Sequence, residues 1–216
     1  MAGFDHPIFL ESLRRIEPLI AASPLRGVER EVLERLVHSS GDPGLAADLR
    51  FVPEPAAGQA GPCAVALSAL AGGASILTDT AMAAAAVAPM ARRTFANPVH
   101  SVLAAAPAAP PAGGTRCAEG MERALRRYAP AVVLIGSAPT ALERLLDLVV
   151  AAEVAPPLLV IGMPVGFVGV EASKRRLAAS GLPQIRLDGS RGGAALVAAA
   201  LNALLRRAWL DRPAGP

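Results

Sequence analysis

Apolar and polar positions alternate with helical spacing near the start of the chain. Apolar residues recur every three or four positions over residues 8–20, and the same pattern returns over residues 28–38. Gly41 follows the second pattern, where a glycine can take the left-handed conformation that ends a helix. Asp42-Pro43 then predicts an N-cap followed by proline at the first helical position. We therefore expect an N-terminal helical segment over residues 1–50.

Beyond residue 70 the pattern changes to short, fully apolar runs, and each run is followed by a turn and a helical pattern. These runs occupy residues 74–77, 131–136, 158–162 and 184–187. Fully apolar strands that alternate with helices are typical of a parallel sheet covered on both faces. We predict an α/β fold with an open, mainly parallel sheet, helices on both faces, and a single domain over residues 1–216.

The composition indicates in which cell compartment the protein is expected. Hydrophobic residues make up 53% of the chain, but no apolar run reaches the length of about 18–20 residues that a bilayer-spanning helix needs. The first residues do not match a signal peptide, so we expect a soluble, cytoplasmic protein without a membrane partner. Cys63 and Cys117 have no CxxC spacing and are expected to be reduced and mostly structural.

The charge balance favours one class of ligand over another. The net charge is +3 and only 3% of residues are aromatic. The arginines occur as dispersed pairs beside apolar helical stripes, which is typical of solvated helix faces, and few aromatic rings are available to stack on bases. Nucleic acid is therefore not an expected partner, whereas a polyanionic small molecule fits the charge.

Three loops are expected to carry the chemistry, because sites in open α/β sheets lie beyond the carboxyl ends of the strands. They span residues 78–82, 136–140 and 162–174, and each leads into a helix whose N-terminus favours an anion. The third loop contains three glycines but matches neither GxGxxG nor the phosphate-binding loop motif, and Pro164 and Phe167 make it apolar. A nucleotide-binding enzyme is thus a weak alternative.

Several polar side chains near these loops have two interpretations each. Asp79 either caps the following helix or contacts a substrate, and Arg116 either forms a surface ion pair or binds a ligand. Ser12, within the first helix, would ordinarily be incidental. Position alone does not decide between these interpretations.

His38 differs from the two other histidines because it ends an amphipathic helix. From position alone, a cation that complements the helix dipole is the favoured interpretation. A histidine also changes charge near neutral pH and is the obvious general acid or base in this chain. No GxSxG, HExxH or clustered acidic ligand set occurs, so metal and covalent catalysis are not expected.

Taken together, the motifs resemble those of the precorrin-8X methylmutase (precorrin isomerase) family of cobalamin biosynthesis. They occur in the family's order over nearly the whole chain: IFLESLRRI, ERLVHSSGD with ADLRF, ILTDTAM, GGTRCA, IGSAPTALERLLDLV and IGMPVGFVGVEASKRRL. The PVGFVG loop followed by Ser173-Lys174 is the most specific of them. The chain departs from the family at Cys117, where serine is usual, and at Ser137, where asparagine is common.

The resemblance implies a homodimeric α/β isomerase without a metal or organic cofactor. It would move one methyl group between adjacent ring carbons, converting precorrin-8X to hydrogenobyrinate, or its cobalt form to cobyrinate, and would hand the product to the next pathway enzyme. His38 would be the proton donor to the ring, and the helix end would raise its pKa. The implied substrate contacts are Ser12, Asp79, Thr80, Thr115, Arg116, Ser137, Thr140, Gly166 and Phe167. A non-catalytic tetrapyrrole carrier of the same pathway is the alternative.

Overall fold

The computed structural model describes residues 3–54 and 61–212. Its α-helices are α1 (Pro7–Ile16), α2 (Gly27–Ser40), α3 (Pro62–Ala71), α4 (Ala81–Arg93), α5 (Val102–Ala105), α6 (Arg116–Tyr128), α7 (Pro139–Val150), α8 (Val170–Ala179) and α9 (Ala194–Asp211). Its strands are β1 (Leu49–Val52), β2 (Ile76–Thr78), β3 (Val99–Ser101), β4 (Val132–Ile135), β5 (Leu159–Gly162) and β6 (Gln184–Leu187). Two 3-10 helices cover Glu17–Ile20 and Pro43–Ala47. Within the described ranges, no helix is both long enough and apolar enough to cross a bilayer.

The six strands form one sheet in the order β1-β6-β5-β4-β2-β3. All neighbours are parallel except β1, which runs antiparallel to β6. The predicted α/β fold with a mainly parallel sheet is confirmed, and the four predicted strands correspond to β2, β4, β5 and β6. The edge strands β1 and β3 were not predicted. β1 begins inside the segment predicted to be helical, and β3 includes His100, which lies in a segment without a strand pattern.

Both faces of the sheet are buried, as the fully apolar strands predict. In β4, Val132 and Leu134 pack into a core shared with α2, α3, α4 and α9, whereas Val133 and Ile135 pack into a second core with α6 and α7. Burying a Val, Leu or Ile side chain stabilises a fold by about 1.5–3 kcal/mol. A strand with apolar side chains on both faces therefore contributes to the cores on both sides of the sheet. Packing on both sides fixes the position of the strand and hence of the loop that follows it.

The end of α2 follows the predicted pattern. Gly41 caps the helix in the left-handed conformation, with φ 71°, and its N–H donates to the carbonyl of Val37. Asp42 is the N-cap of the next 3-10 helix, where its carboxylate accepts a hydrogen bond from the Gly44 N–H at 2.8 Å. Val32, Leu33, Leu36 and Val37 bury one face of α2. His38 is thereby held in the last turn, at the surface.

One helical glycine marks a close backbone approach that the sequence does not reveal. Gly120 lies inside α6, and a Cβ atom at this position would be 2.2 Å from the carbonyl oxygen of Val102, at the start of α5. A contact this short forces the two helices apart, because the obstructing atom belongs to the backbone.

We expect Gly120→Ala to destabilise the protein by about 1–3 kcal/mol through overpacking, although the same change inside an open helix stabilises by about 0.5–1 kcal/mol. Urea unfolding measures the difference. Gly72→Ala is the matched control, since the nearest atom to its new Cβ is at an ordinary 3.4 Å, and its stability should stay within about 0.5 kcal/mol of the parent. A Gly120→Ala protein at least as stable as the parent contradicts this packing.

Candidate active site

His38 and Ser12 meet where α1 crosses the end of α2. Ser12 Oγ lies 2.7 Å from His38 Nδ1, and the ring of Phe9 contacts the imidazole edge-on with a centroid distance of 5.1 Å. An open groove of about 600 Å³, lined by Pro7, Ile8, Glu11, Ser12 and Arg15, adjoins the pair. Among the described residues, nothing bonds Nε2 of His38, so this nitrogen is available to a ligand.

The electrostatics of His38 differ from the expectation for a helix end. Its pKa lies below the usual histidine value, because partial burial penalises the charged ring and the positive charge of Arg35 repels it. The expectation that the helix C-terminus raises this pKa is therefore wrong. His38 lies in the last turn, where the dipole favours the charged ring, but this effect is weak at an exposed helix end. Arg35 stands one turn away on the same helix face and acts against it.

Asp79 shapes the loop between β4 and α7. Its side chain is fully buried, and Oδ2 accepts hydrogen bonds from the N–H groups of Gly136, Ser137 and Ala138 at 3.0, 2.6 and 2.8 Å. Burial raises the pKa of this carboxyl, and the three donors act against that shift. The carboxylate is not accessible from the surface, so in this structure its ligands are backbone amides. The helix N-cap is instead Thr80, whose Oγ1 accepts from the Ala83 N–H at 3.3 Å.

Thr115 and Thr140 join two helix starts beside that loop. Their Oγ1 atoms lie 2.8 Å apart, and Thr115 also caps α6 by accepting from the Ala118 N–H. Arg116 is exposed, and its Nε donates to the carbonyl oxygen of Pro107 at 3.1 Å. No carboxylate pairs with Arg116 in the described part of the chain, so a surface ion pair does not account for it.

The loop after β5 presents apolar side chains at the same edge of the sheet. Its backbone is tied to its neighbours, because the N–H of Val165 donates to Gly136 and that of Gly166 donates to Ser190. Gly166 has φ 132°, which side chains rarely tolerate. Phe167 and Val168 are 94% and 88% exposed. The loop is thus anchored at the backbone while its large apolar side chains face outward.

Arg191 is a residue that sequence reasoning missed. Its guanidinium donates to Asp42 Oδ2 at 2.7 Å, to the carbonyl of Gly44 at 3.1 Å and to the carboxylate of Asp48. The sequence showed only a glycine-rich turn, DGSRGG, because the partners of Arg191 lie more than 140 residues away. These bonds attach the turn after β6 to the segment that follows His38.

Lys174 holds the same turn from the other side. It is 2% exposed, and its Nζ donates to the carbonyl oxygens of Gly189 and Arg191, both at 2.7 Å. Burial lowers its pKa to about 8. In the Ser173-Lys174 pair, the lysine is therefore a structural residue that fixes the backbone of the turn.

The expected site residues form two groups. One group is Ser12 with His38; the other lies at the ends of β2, β4 and β5 and contains Asp79, Thr80, Thr115, Arg116, Ser137, Thr140, Gly166 and Phe167. No hydrogen bond or ion pair joins the two groups directly within residues 3–54 and 61–212. The turn at 188–193 connects them, and β6 and β2 are three strand spacings apart, about 14 Å. Over the same ranges, no group of three or more potential metal ligands is found.

Comparisons of the amino-acid sequence with known proteins match one family. Residues 7–207 match the family model for precorrin-8X methylmutase. The chain is 36% identical to a cobalt-precorrin-8 methylmutase of Synechocystis, with 98% of this chain and all of the relative aligned. It is 44% identical to a precorrin-8X methylmutase of Pseudomonas aeruginosa over 79% of this chain and 80% of that one.

A solved structure shows the same fold. The crystal structure of precorrin-8X methyl mutase from Thermus thermophilus superposes with a TM-score of 0.80 and 33% identity, covering 93% of this chain and 95% of that one. The motifs, the sheet with its strand-end loops and these matches together show that the chain belongs to the precorrin-8X methylmutase family.

Proposed function

We propose that His38 is the proton donor of a methyl migration on a corrin-forming macrocycle. As a member of its family, the chain is a methyl-migrating isomerase of cobalamin biosynthesis. An intramolecular methyl shift needs no nucleophile, so the protein must hold the ring and place one acid that favours the rearranged product. His38 is the residue we assign to that role, and residues 1–216 would work as a single domain.

The contact between Ser12 Oγ and His38 Nδ1 carries this proposal. When the ring is neutral, the Ser12 hydroxyl can donate to Nδ1, and the proton then resides on Nε2, which has no hydrogen-bond partner among the described residues. When the ring is charged, Nδ1–H donates to the hydroxyl instead. A serine partner thus accommodates both protonation states and fixes the ring orientation, as a proton-transfer residue requires.

The second group of residues supports binding of a polycarboxylate. Arg116 has an exposed guanidinium, and the N-termini of α4, α6, α7 and α8 all lie at the carboxyl edge of the sheet. We assign the acetate and propionate arms of the macrocycle to Arg116, Thr115, Thr140, Ser137 and Thr80. The exposed ring of Phe167 would contact an apolar face of the macrocycle.

Three further features belong to the same proposal. We infer a homodimer, supported by the large exposed side chains of Ile8, Met82, Phe167 and Val168. We place the protein in the cytoplasm, supported by two free cysteines that are not paired with each other. We also propose direct transfer of the product to the next enzyme, which would protect a reactive macrocycle from solvent.

His38→Ala is expected to lower turnover at least 100-fold and to leave the fold and most of the binding intact, because general-acid contributions are about 100–10,000-fold. The measurement is the conversion of precorrin-8X, and separately of its cobalt form, followed by visible absorption. The parent must change the spectrum of at least one of the two. Binding without any spectral conversion would instead identify a carrier.

His100→Gln is the matched control, since His100 stacks on Tyr128 at the far edge of the sheet and has no contact with Ser12. We expect this variant to turn over at the parental rate. Near-parental turnover by His38→Ala would remove His38 from the reaction.

Arg116→Ala should raise KM about ten-fold and change kcat much less, because loss of a charge-assisted hydrogen bond weakens ground and transition states alike. Arg116→Lys should recover part of the affinity, and added salt should weaken substrate binding less in Arg116→Ala than in the parent. Steady-state kinetics at two salt concentrations measure these effects. Arg175→Ala, which removes an equally exposed arginine from α8, is the control. Equal KM values for Arg116→Ala and the parent contradict the assignment.

Sedimentation equilibrium tests the dimer. We expect twice the chain mass of 22.0 kDa at micromolar concentrations, and we expect Val168→Asp to weaken association by placing a charge on the apolar loop. Val150→Asp is the control, because Val150 is 80% exposed but ends α7 at the opposite edge of the sheet. A monomeric parent, or equal weakening by both substitutions, contradicts this interface.

A further inference from the structure

Two side chains, one from α1 and one from α2, pack beside the proposed acid, His38. The Cζ atom of Arg35 lies 4.6 Å from the centroid of the Phe9 ring, and the same ring meets the imidazole of His38 at 86°. Arg35 and His38 are three residues apart on α2 and so share a face. Phe9, from α1, therefore contacts the guanidinium and the imidazole together.

The charge of Arg35 has no acidic partner within ion-pair distance in the described structure. The neighbouring carboxylates are engaged elsewhere: Asp5 and Glu31 bind Arg206, and Glu34 binds Arg30. Burial and the nearby charge of Arg206 both lower the pKa of Arg35, and the weaker effect of the charge of Asp5 acts in the opposite direction without reversing the shift. A partly buried, unpaired guanidinium costs free energy, and its packing against Phe9 recovers only part of that cost.

In the described part of the chain, no acidic side chain forms a hydrogen bond or ion pair with His38. On α1, the side chain that bonds the imidazole is the neutral hydroxyl of Ser12, while Glu11 is paired with Arg14 and Arg15. On α2, Glu34 is paired with Arg30, and on α9 Arg206 is paired with Asp5 and Glu31. Arg35 is thus the charged group that disfavours a positive charge on His38, in addition to the partial burial of the ring.

We propose that Arg35 is a positioning residue that acts through Phe9 and His38, holding the imidazole in place and keeping it neutral between turnovers. This inference rests on the proposed function of His38. It explains how the enzyme avoids a competing interaction, because an imidazolium would pair with a carboxylate arm of a polyanionic substrate instead of the ring. The neutral imidazole binds the macrocycle through an Nε2–H hydrogen bond. Proton transfer itself is made by the imidazolium, which forms when the ring takes up a proton from water, and a lowered pKa makes it a stronger acid than an ordinary imidazolium.

An NMR titration tests the proposal without substrate. The chain has three histidines, His6, His38 and His100, so histidine-labelled protein gives few signals, and His38→Gln identifies the one of interest. In Arg35→Gln we expect the pKa of His38 to rise toward the ordinary value of about 6.5, because the repulsion exists only with the charged ring. The signals of His6 and His100 serve as internal references in the same spectra.

Two matched variants separate charge from packing. Arg175→Gln removes the same charge from an exposed site on α8 and should leave the His38 curve unchanged. Arg35→Lys keeps the charge while replacing the planar guanidinium, so the pKa of His38 should stay low. If Arg35→Gln does not fold, Arg35→Met, which also removes the charge, is titrated instead of Arg35→Gln. Arg35→Lys is the charged variant with which either is compared. A His38 curve that does not move, or moves to lower pH, when the charge at position 35 is removed overturns the proposal.

The pH profile of turnover gives a second readout. In Arg35→Gln the limb that reports His38 should move to higher pH, in the same direction as the NMR curve, whereas general loosening of the structure would lower kcat at all pH values alike. If the NMR curve moves but turnover does not depend on His38, the proposed function fails and the electrostatic role of Arg35 stands. If turnover depends on His38 but neither readout moves, the role of Arg35 fails alone.

Discussion

The buried carboxylate of Asp79 is the interaction on which the rest of the site depends. Three consecutive amide groups at the start of α7 donate to one of its oxygens, and this joins the end of β2 to the loop after β4. Burial raises the pKa of this carboxyl, and the N–H donors and the positive end of α7 act in the opposite direction by favouring its charged form. Without it, those amides would lose their partners inside a dry part of the fold. The β5 loop then depends on the same structure, since Val165 donates to Gly136.

The sequence predicts those elements whose patterns are local. β4 and β5 are apolar on both faces and bounded by turns, so their position and parallel arrangement follow from period and composition. The end of α2 follows from Gly41 and Asp42 for the same reason. β3 was not predictable, because its three residues are all half-buried and show no alternation of apolar and polar positions. β1 was not predictable because this short edge strand is defined by its antiparallel pairing with β6, which is distant along the chain.

The site was predictable as a set of loops and one histidine, but its internal connections were not. Sequence position suggested two interpretations for Asp79, and the geometry gives it a third, as acceptor for a loop's amides. The pKa of His38 moves against the helix dipole because partial burial disfavours the charged ring and the positive charge of Arg35 repels it. Arg191 and Lys174 act on residues that no spacing rule connects with them. The partners of Asp79, Arg191 and Lys174 are distant along the chain, whereas sequence patterns report neighbours. Arg35 is a near neighbour of His38, but its lack of an acidic partner depends on ion pairs formed elsewhere in the fold.

The ties made by Arg191 have a consequence for how the protein is made. His38 and the segment after it leave the ribosome early, but the guanidinium that secures Asp42 and Asp48, and the strand that pairs with β1, are synthesised only near the end. The N-terminal helices must therefore wait for the last quarter of the chain before their end of the site is fixed. A chain that ends before Arg191 would contain His38 and Ser12 but would lack the side chain that binds Asp42 and Asp48.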